Sequence, residues 1–185
     1  MMPEGGYKIR NQAEIHFVSF AVVEWIDVFI RKEYIDIIID SLKFCQTSKQ
    51  LQVHGWCIMT SHLRLLLSSD IRNLSGTLRD FKKFTTNKII QAIVENKKES
   101  RREWMIEIFR KAGKENSRNT NYQFWQQDNQ PKECYSPAFT VQKLDYIHNN
   151  PVVAGIVDHP WEYVYSSARD YYFQTHCGLL KVAFI

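Results

Sequence analysis

No stretch of apolar residues in this chain approaches the about 18 that a membrane-crossing helix needs, so a spanning protein is not expected. The opening residues, with Pro3-Glu4-Gly5-Gly6, lack an apolar h-region; this argues against a signal peptide and for a cytoplasmic protein. Cysteine is sparse and scattered. Cys45, Cys57, Cys134 and Cys177 form no Cys-x-x-Cys pair, and the expected state is four reduced thiols. An excess of either charge is also missing: 24 Lys and Arg stand against 20 Asp and Glu, a net +4 that permits an anionic partner without demanding one. There is no internal repeat and no low-complexity segment. What is present is 44% apolar and 14% aromatic residues over 185 positions, the composition of a globular protein. A chain of this size buries roughly 70% of its unfolded surface, enough for one domain spanning residues 1–185.

Taken in order, Ile15 to Val23 is β-branched and aromatic and predicts a central strand. Lys32 to Lys49 carries Ile35, Ile38, Ile39, Leu42 and Cys45 at helical spacing. Leu51 to Met59 and His62 to Ser69 predict an antiparallel strand pair. Asn73 or Ser75 is placed to cap a helix reaching about Asn96. The polar stretch at 97–121 predicts an insertion, with a short amphipathic helix over Trp104 to Phe109 and a loop over Gly113 to Asn121. Tyr122 to Gln126 predicts a short strand. Pro137 opens a further helix, and Leu179 to Ile185 predicts a final strand in a tail, 156–185, packed on the domain. This order gives an α+β class: a ferredoxin-like split βαβ plan with a central antiparallel sheet and helices mainly on one face.

Two stretches concentrate the chemistry. In Met59-Thr60-Ser61-His62-Leu63-Arg64-Leu65, His62 and Arg64 alternate with leucines and share a strand face roughly 7 Å apart. In Asp145-Tyr146-Ile147-His148-Asn149-Asn150-Pro151-Val152, Tyr146 and Asn150 lie four apart on one helix face, about 5–6 Å from each other. Pro151 disfavours helical geometry in the residue before it, which predicts a helix end near Asn150.

Together these stretches resemble the single-tyrosine HUH transposases, in particular the IS200-like and REP-associated members. The family's Met-Pro-Asn-His-hydrophobic-His-Leu core corresponds to Met59 through Leu65. Its late Tyr-Ile-x-x-Asn-Pro-Val-x-x-Gly signature corresponds to Tyr146-Ile147-His148-Asn149-Asn150-Pro151-Val152-Val153-Ala154-Gly155. Gly76 to Thr86, Phe124-Trp125-Gln126 and Tyr165-Ser166-Ser167-Ala168 also fit, so the likeness runs from about Ile15 to Tyr172. The resemblance implies a monomeric or homodimeric protein that cleaves and rejoins single-stranded or hairpin DNA. Tyr146 would be the nucleophile, forming a 5′-phosphotyrosine and freeing a 3′-OH. An ordinary tyrosine is only on the order of 0.1% ionised at neutral pH, so it needs a metal or positive charge nearby. His62 and Asn150 would serve as ligands of Mg²⁺ or Mn²⁺. Arg79, Lys82, Lys83 and Lys88 would form a phosphate-gripping helix; a merely solvated face is the ordinary alternative. Trp125, Trp161 and Tyr165 are aromatic groups able to stack on unpaired bases.

Arg64 departs from the family, where a second histidine stands. A guanidinium offers no lone pair and stays protonated. About 4 Å from a divalent ion it would repel it by roughly 8 kcal/mol at an effective dielectric near 20. Three outcomes stay open: Arg64 turns away and leaves a weakened two-ligand site, it replaces the metal and grips the scissile phosphate, or the protein is a catalytically silent DNA binder. The retained Tyr146–Asn150 spacing favours the weakened site. His16 and His54 are further histidines that a metal could recruit.

Overall fold

The computed structural model describes residues 9–116, 121–127, 131–176 and 178–185. The N-terminal segment containing Pro3 to Gly6, Cys177, and part of the expected loop over Gly113 to Asn121 lie outside these residues. The elements run β1 (His16–Ala21), α1 (Lys32–Lys49), β2 (Leu51–Ile58), β3 (His62–Ser69), α2 (Leu74–Glu95), α3 (Arg102–Lys114), β4 (Lys132–Glu133), α4 (Pro137–Val153) and α5 (Ala168–Phe173). The sheet is four-stranded in the order β2-β3-β1-β4, with every neighbouring pair antiparallel. This is the expected split βαβ plan.

Alternation along the strands sends two sets of side chains to two cores. Val18, Phe20, Leu63, Leu65 and Leu67 join the main core, which takes Ile35, Ile38 and Leu42 from α1, Phe81 and Ile89 from α2, and Met105 and Phe109 from α3. Phe17, Cys57 and Leu66 face the other way and meet Leu144 and Ile147 of α4. Three helices therefore cover one face, and α4 lies alone on the other. Cys45, Cys57 and Cys134 are buried free thiols.

Several elements differ from the sequence expectation. The helix expected over Trp104 to Phe109 extends at both ends to 13 residues. Tyr122 to Gln126 makes no strand. It gives a single bridge, Trp125 to Val22, because β1 ends at Ala21 and the chain turns sharply after it. The fourth strand is instead the two-residue β4. Leu179 to Ile185 is not a strand either; among its backbone groups the Ala183 N–H donates to the Val53 carbonyl at 2.9 Å beside the β2 edge. Tyr165 and Ser167 cover the same edge, with Ile58 N–H donating to Tyr165 O and Ser167 N–H to Trp56 O, each at 2.9 Å. The edge is thereby closed to pairing with another chain. Asn73 precedes α2 without a side-chain cap; the Gln12 side-chain oxygen accepts the Ser75 N–H at 2.9 Å instead.

The end of α4 is the most instructive difference. The helix does not stop at Asn150 but runs through Pro151 to Val153. Proline costs only one late backbone bond there, and the next turn closes on glycine. Gly155 takes a left-handed φ of 69°. Its N–H bonds Val152 O at 2.9 Å, and the Ile156 N–H bonds Pro151 O at 2.9 Å. That pair of bonds is a Schellman cap, and it satisfies the carbonyls that the helix end exposes. At the other end, Ser136 caps α4 by accepting the Phe139 N–H at 3.2 Å, with Pro137 in the first turn.

Close approach of α4 to the sheet depends on Gly55. A Cβ there would fall 2.5 Å from Leu144 Cδ1. Gly55→Val is expected to lower stability by about 1–3 kcal/mol despite valine's strand preference, because the added methyls overpack this contact. Urea unfolding of both proteins measures it; a neutral or stabilising result would show that α4 yields at no cost.

Candidate functional site

His62 opens β3, and its register partner on β1 is Ala21. Arg64 follows two residues later on the same face, opposite Ser19 on β1 and Cys57 on β2. This is the face that α4 crosses. With Leu144 and Ile147 buried against the sheet, helical periodicity directs Tyr146 and Asn150 along the flank nearest the start of β3. The four residues come together there.

The contacts are specific. Asn150 Nδ2 lies 3.1 Å from His62 Nε2. Arg64 Nε–H donates to the same nitrogen at 3.1 Å. Two N–H donors on one ring nitrogen require that nitrogen to carry the lone pair, so the imidazole proton sits on Nδ1, which faces Ser61 Oγ at 3.3 Å. His62 is half-buried. Burial and the Arg64 charge, partly offset by Asp27, pull its pKa from 6.5 down to about 4. It is neutral at physiological pH. The Arg64 guanidinium carbon lies 4.1 Å from the centre of the Tyr146 ring, a cation–π distance. Phe17 meets the same ring edge-on at 5.9 Å, and the Lys143 ammonium lies 5.7 Å from its centre. Tyr146 itself stays 47% exposed. Arg64 Nη1 is buried and has no hydrogen-bond partner among the described residues.

A divalent ion asks for several oxygen or nitrogen lone pairs. His62 Nε2 and the Asn150 amide oxygen are the two donors near it, and the His62 lone pair already accepts two N–H groups. The third position holds a guanidinium that turns toward His62 rather than away. Among the described residues no group of three or more His, Cys, Asp or Glu side chains is placed to hold a metal. His16 and His54 do not help. His16, opposite Leu67, points to the other face and bonds Glu14 O through Nδ1 at 2.8 Å. His54 has both nitrogens engaged, with Ala183 O at 2.9 Å and Ser68 Oγ at 2.8 Å. The donor set therefore does not fit a divalent ion.

The α2 basic residues lie on the opposite side of the sheet from this cluster, since Phe81 of α2 stacks on Phe20 in the main core. Lys82 is half-buried, its ammonium 3.4 Å from Gln126 O and 5.6 Å from the Phe20 ring. Arg79 is exposed beside Asp80 at 3.3 Å. Lys83 and Lys88 are exposed, and Lys88 lies 5.9 Å from the Phe84 ring. Of the expected stacking groups, Trp125 is buried at 3% exposure. Its indole N–H donates to Thr85 Oγ1 at 3.0 Å. Trp161 is already sandwiched between His159 and Tyr172, at 4.6 and 4.1 Å. Tyr165 is half-buried and spends its backbone on the β2 edge.

Sequence reading missed Trp25. Glu24 and Trp25 both adopt left-handed backbone, with φ of 52° and 54°. Each such residue costs about 1–2 kcal/mol for an L side chain. The turn throws the indole outward, 55% exposed, with its ring 5.4 Å from the His62 ring and edge-on to it. Only the register of Ala21 with His62 could have placed whatever follows β1 beside this histidine; nothing in Val22-Val23-Glu24-Trp25 itself points there.

No family model matches the sequence, and no curated protein matches it. Among solved structures, a REP-associated tyrosine transposase bound to a REP hairpin matches with a TM-score of 0.65 over 98% of this chain and 93% of that one. The sequences are 13% identical, so the likeness is one of fold. No helix among the described residues is long and apolar enough to cross a membrane.

Burial of His62 and the Arg64 charge fix the sign of a pH effect. A histidine whose folded pKa lies below its unfolded value contributes stability that is complete above about pH 6.5 and is lost as pH falls toward 4. An imidazole NMR titration is expected to find the His62 midpoint near 4. Arg64→Met should raise that midpoint by removing the charge, yet leave it below 6.5 because burial remains. An unmoved midpoint would mean that the Arg64 charge does not act on His62.

Proposed function

We propose that this chain is a transposase-like DNA-binding protein that cleaves and rejoins single-stranded or hairpin DNA through Tyr146. The observation that carries the reading is an exposed tyrosine stacked on an arginine, on a fold shared with a REP-associated transposase bound to a hairpin. The Tyr146 oxygen attacks the phosphorus of a phosphodiester, and its proton passes to solvent at the open face of the site. The P–O3′ bond breaks, and the departing oxygen takes up a proton as a 3′-OH. The new phosphotyrosine conserves the bond for rejoining by the reverse steps. The Arg64 guanidinium, 4.1 Å from the ring centre, places a positive charge beside the attacking residue. Asn150 and Arg64 hold His62 in one tautomer and so fix the strand end against the helix.

A second reading, a catalytically silent DNA binder, is favoured by the donor set around His62, which lacks the ligands a divalent ion would need. One assay separates the two. A labelled hairpin oligonucleotide with a single-stranded flank is incubated with the protein in Mg²⁺, in Mn²⁺ and in EDTA. A denaturation-resistant protein–DNA adduct that disappears in Tyr146→Phe, with DNA affinity kept within about twofold, supports cleavage. A shifted band without an adduct in any condition leaves the silent binder.

Trp25 is the proposed stacking surface for an unpaired base, in place of the buried Trp125. Base–aromatic stacking is worth about 1–3 kcal/mol per base, so Trp25→Ala should weaken single-stranded DNA binding about 5- to 150-fold and leave duplex binding unaffected. An equal loss for both, measured by fluorescence anisotropy, would count against stacking.

A further inference from the structure

We propose that Arg64 is the phosphate anchor of a metal-free site, occupying the place where the transposase family holds a divalent ion. The inference rests on the DNA-binding reading above and assigns the chemistry at its centre.

The arrangement of the guanidinium carries it. Arg64 is tied at one end, Nε–H to His62 Nε2 at 3.1 Å, and His62 is itself held by Asn150 at 3.1 Å. One donor of the fork, Nη1, is sealed from solvent and unpaired among the described residues. A buried charged donor without an acceptor is costly to keep, and no carboxylate among the described residues faces it as an ion pair. The plane of the fork is supported by the Tyr146 ring at 4.1 Å. A guanidinium held at Nε, stacked on an aromatic and carrying an unpaired Nη1 donor is matched to a phosphate oxygen. A phosphate that pairs with Nη1 supplies the acceptor this buried donor lacks. The ring stacked on the guanidinium belongs to the proposed nucleophile. The surrounding polar groups reinforce the choice of an anion over a cation. The His62 lone pair is consumed by two donors, and the Lys143 ammonium stands 5.7 Å from the centre of the same tyrosine ring. The site presents positive charge and N–H donors where a metal site would present lone pairs.

The test uses the full chain with a short thymidylate oligonucleotide and with Mn²⁺ as separate probes. The wild type is expected to bind the oligonucleotide equally, within about twofold, in EDTA and in Mn²⁺, and to give no high-affinity Mn²⁺ site by electron paramagnetic resonance. Arg64→Gln should weaken oligonucleotide binding at least tenfold. Arg64→Lys, which keeps the charge but not the fork, should lose several-fold and guards against a folding artefact. Arg64→His should gain Mn²⁺ affinity and make its oligonucleotide binding depend on the ion. A wild type that binds Mn²⁺ as tightly as Arg64→His overturns the proposal, as does oligonucleotide affinity unchanged in Arg64→Gln. Oligonucleotide binding without a covalent adduct would defeat Tyr146 cleavage alone, whereas a wild type that binds no oligonucleotide overturns both readings.

Discussion

Everything at the site depends on how closely α4 lies on the outer face of the sheet. The missing side chain at Gly55 lets Leu144 and Ile147 settle against Leu66 and Cys57. Helical periodicity then leaves no freedom in where Tyr146 and Asn150 fall. Asn150 reaches His62 and Tyr146 covers Arg64 because their neighbours on the helix are packed, not because either polar contact is strong enough to dock a helix. The caps serve the same end. Ser136 fixes the entry, and the Gly155 turn fixes the exit beyond Pro151. A helix frayed at either end would blur the two contacts by an ångström or more, enough to lose the Asn150 hydrogen bond to His62.

The second constraint is the turn after β1. Two left-handed residues in succession, neither of them glycine, are an unfavourable way to leave a strand. The surrounding contacts hold it: Val22 N–H donates to Ser61 O at 2.9 Å, and Val23 N–H to Phe124 O at 2.8 Å. The first of these bonds ties the turn directly to the residue before His62. Strain here has a local consequence, an indole presented edge-on to the histidine and open to solvent. A relaxed turn would carry Trp25 elsewhere, since its direction follows from the backbone conformation at residues 24 and 25.

Much of this was legible in the sequence. Alternation in His62-Leu63-Arg64-Leu65 placed histidine and arginine on one face, and the i, i+4 spacing placed Tyr146 with Asn150. The helix over Lys32 to Lys49 and the β2–β3 pair followed from apolar periodicity alone. What the sequence left hidden has physical causes. Pro151 read as a stop because its effect on the preceding residue is local, whereas the Schellman cap that carries the helix past it depends on Gly155 four residues later. The α2 row Arg79, Lys82, Lys83 shares a helix face by spacing, but spacing cannot tell that Lys82 bends toward the Phe20 ring and a carbonyl. The tail over Leu179 to Ile185 has a strand's composition yet makes a sparse edge contact, because Tyr165 and Ser167 already occupy the neighbouring stretch of β2.

Arg64 is where composition and geometry point to different chemistry. The residue types alone left room for the guanidinium to swing away and free a two-ligand metal site. Two observed features weigh against that route. Arg64 lies between Ser19 and Cys57 on an inner strand under α4, so the side chain has little space to turn into except along the face it already occupies. Along that face its Nε–H finds the His62 Nε2 lone pair, and its plane finds the Tyr146 ring. A cation that arrived would have to break both His62 contacts and sit beside a fixed positive charge. An anion that arrived would add acceptors to unpaired donors and leave the His62 contacts intact. On the phosphate-anchor proposal, an arginine at this position selects an anion where the resemblance to the transposases implies a cation.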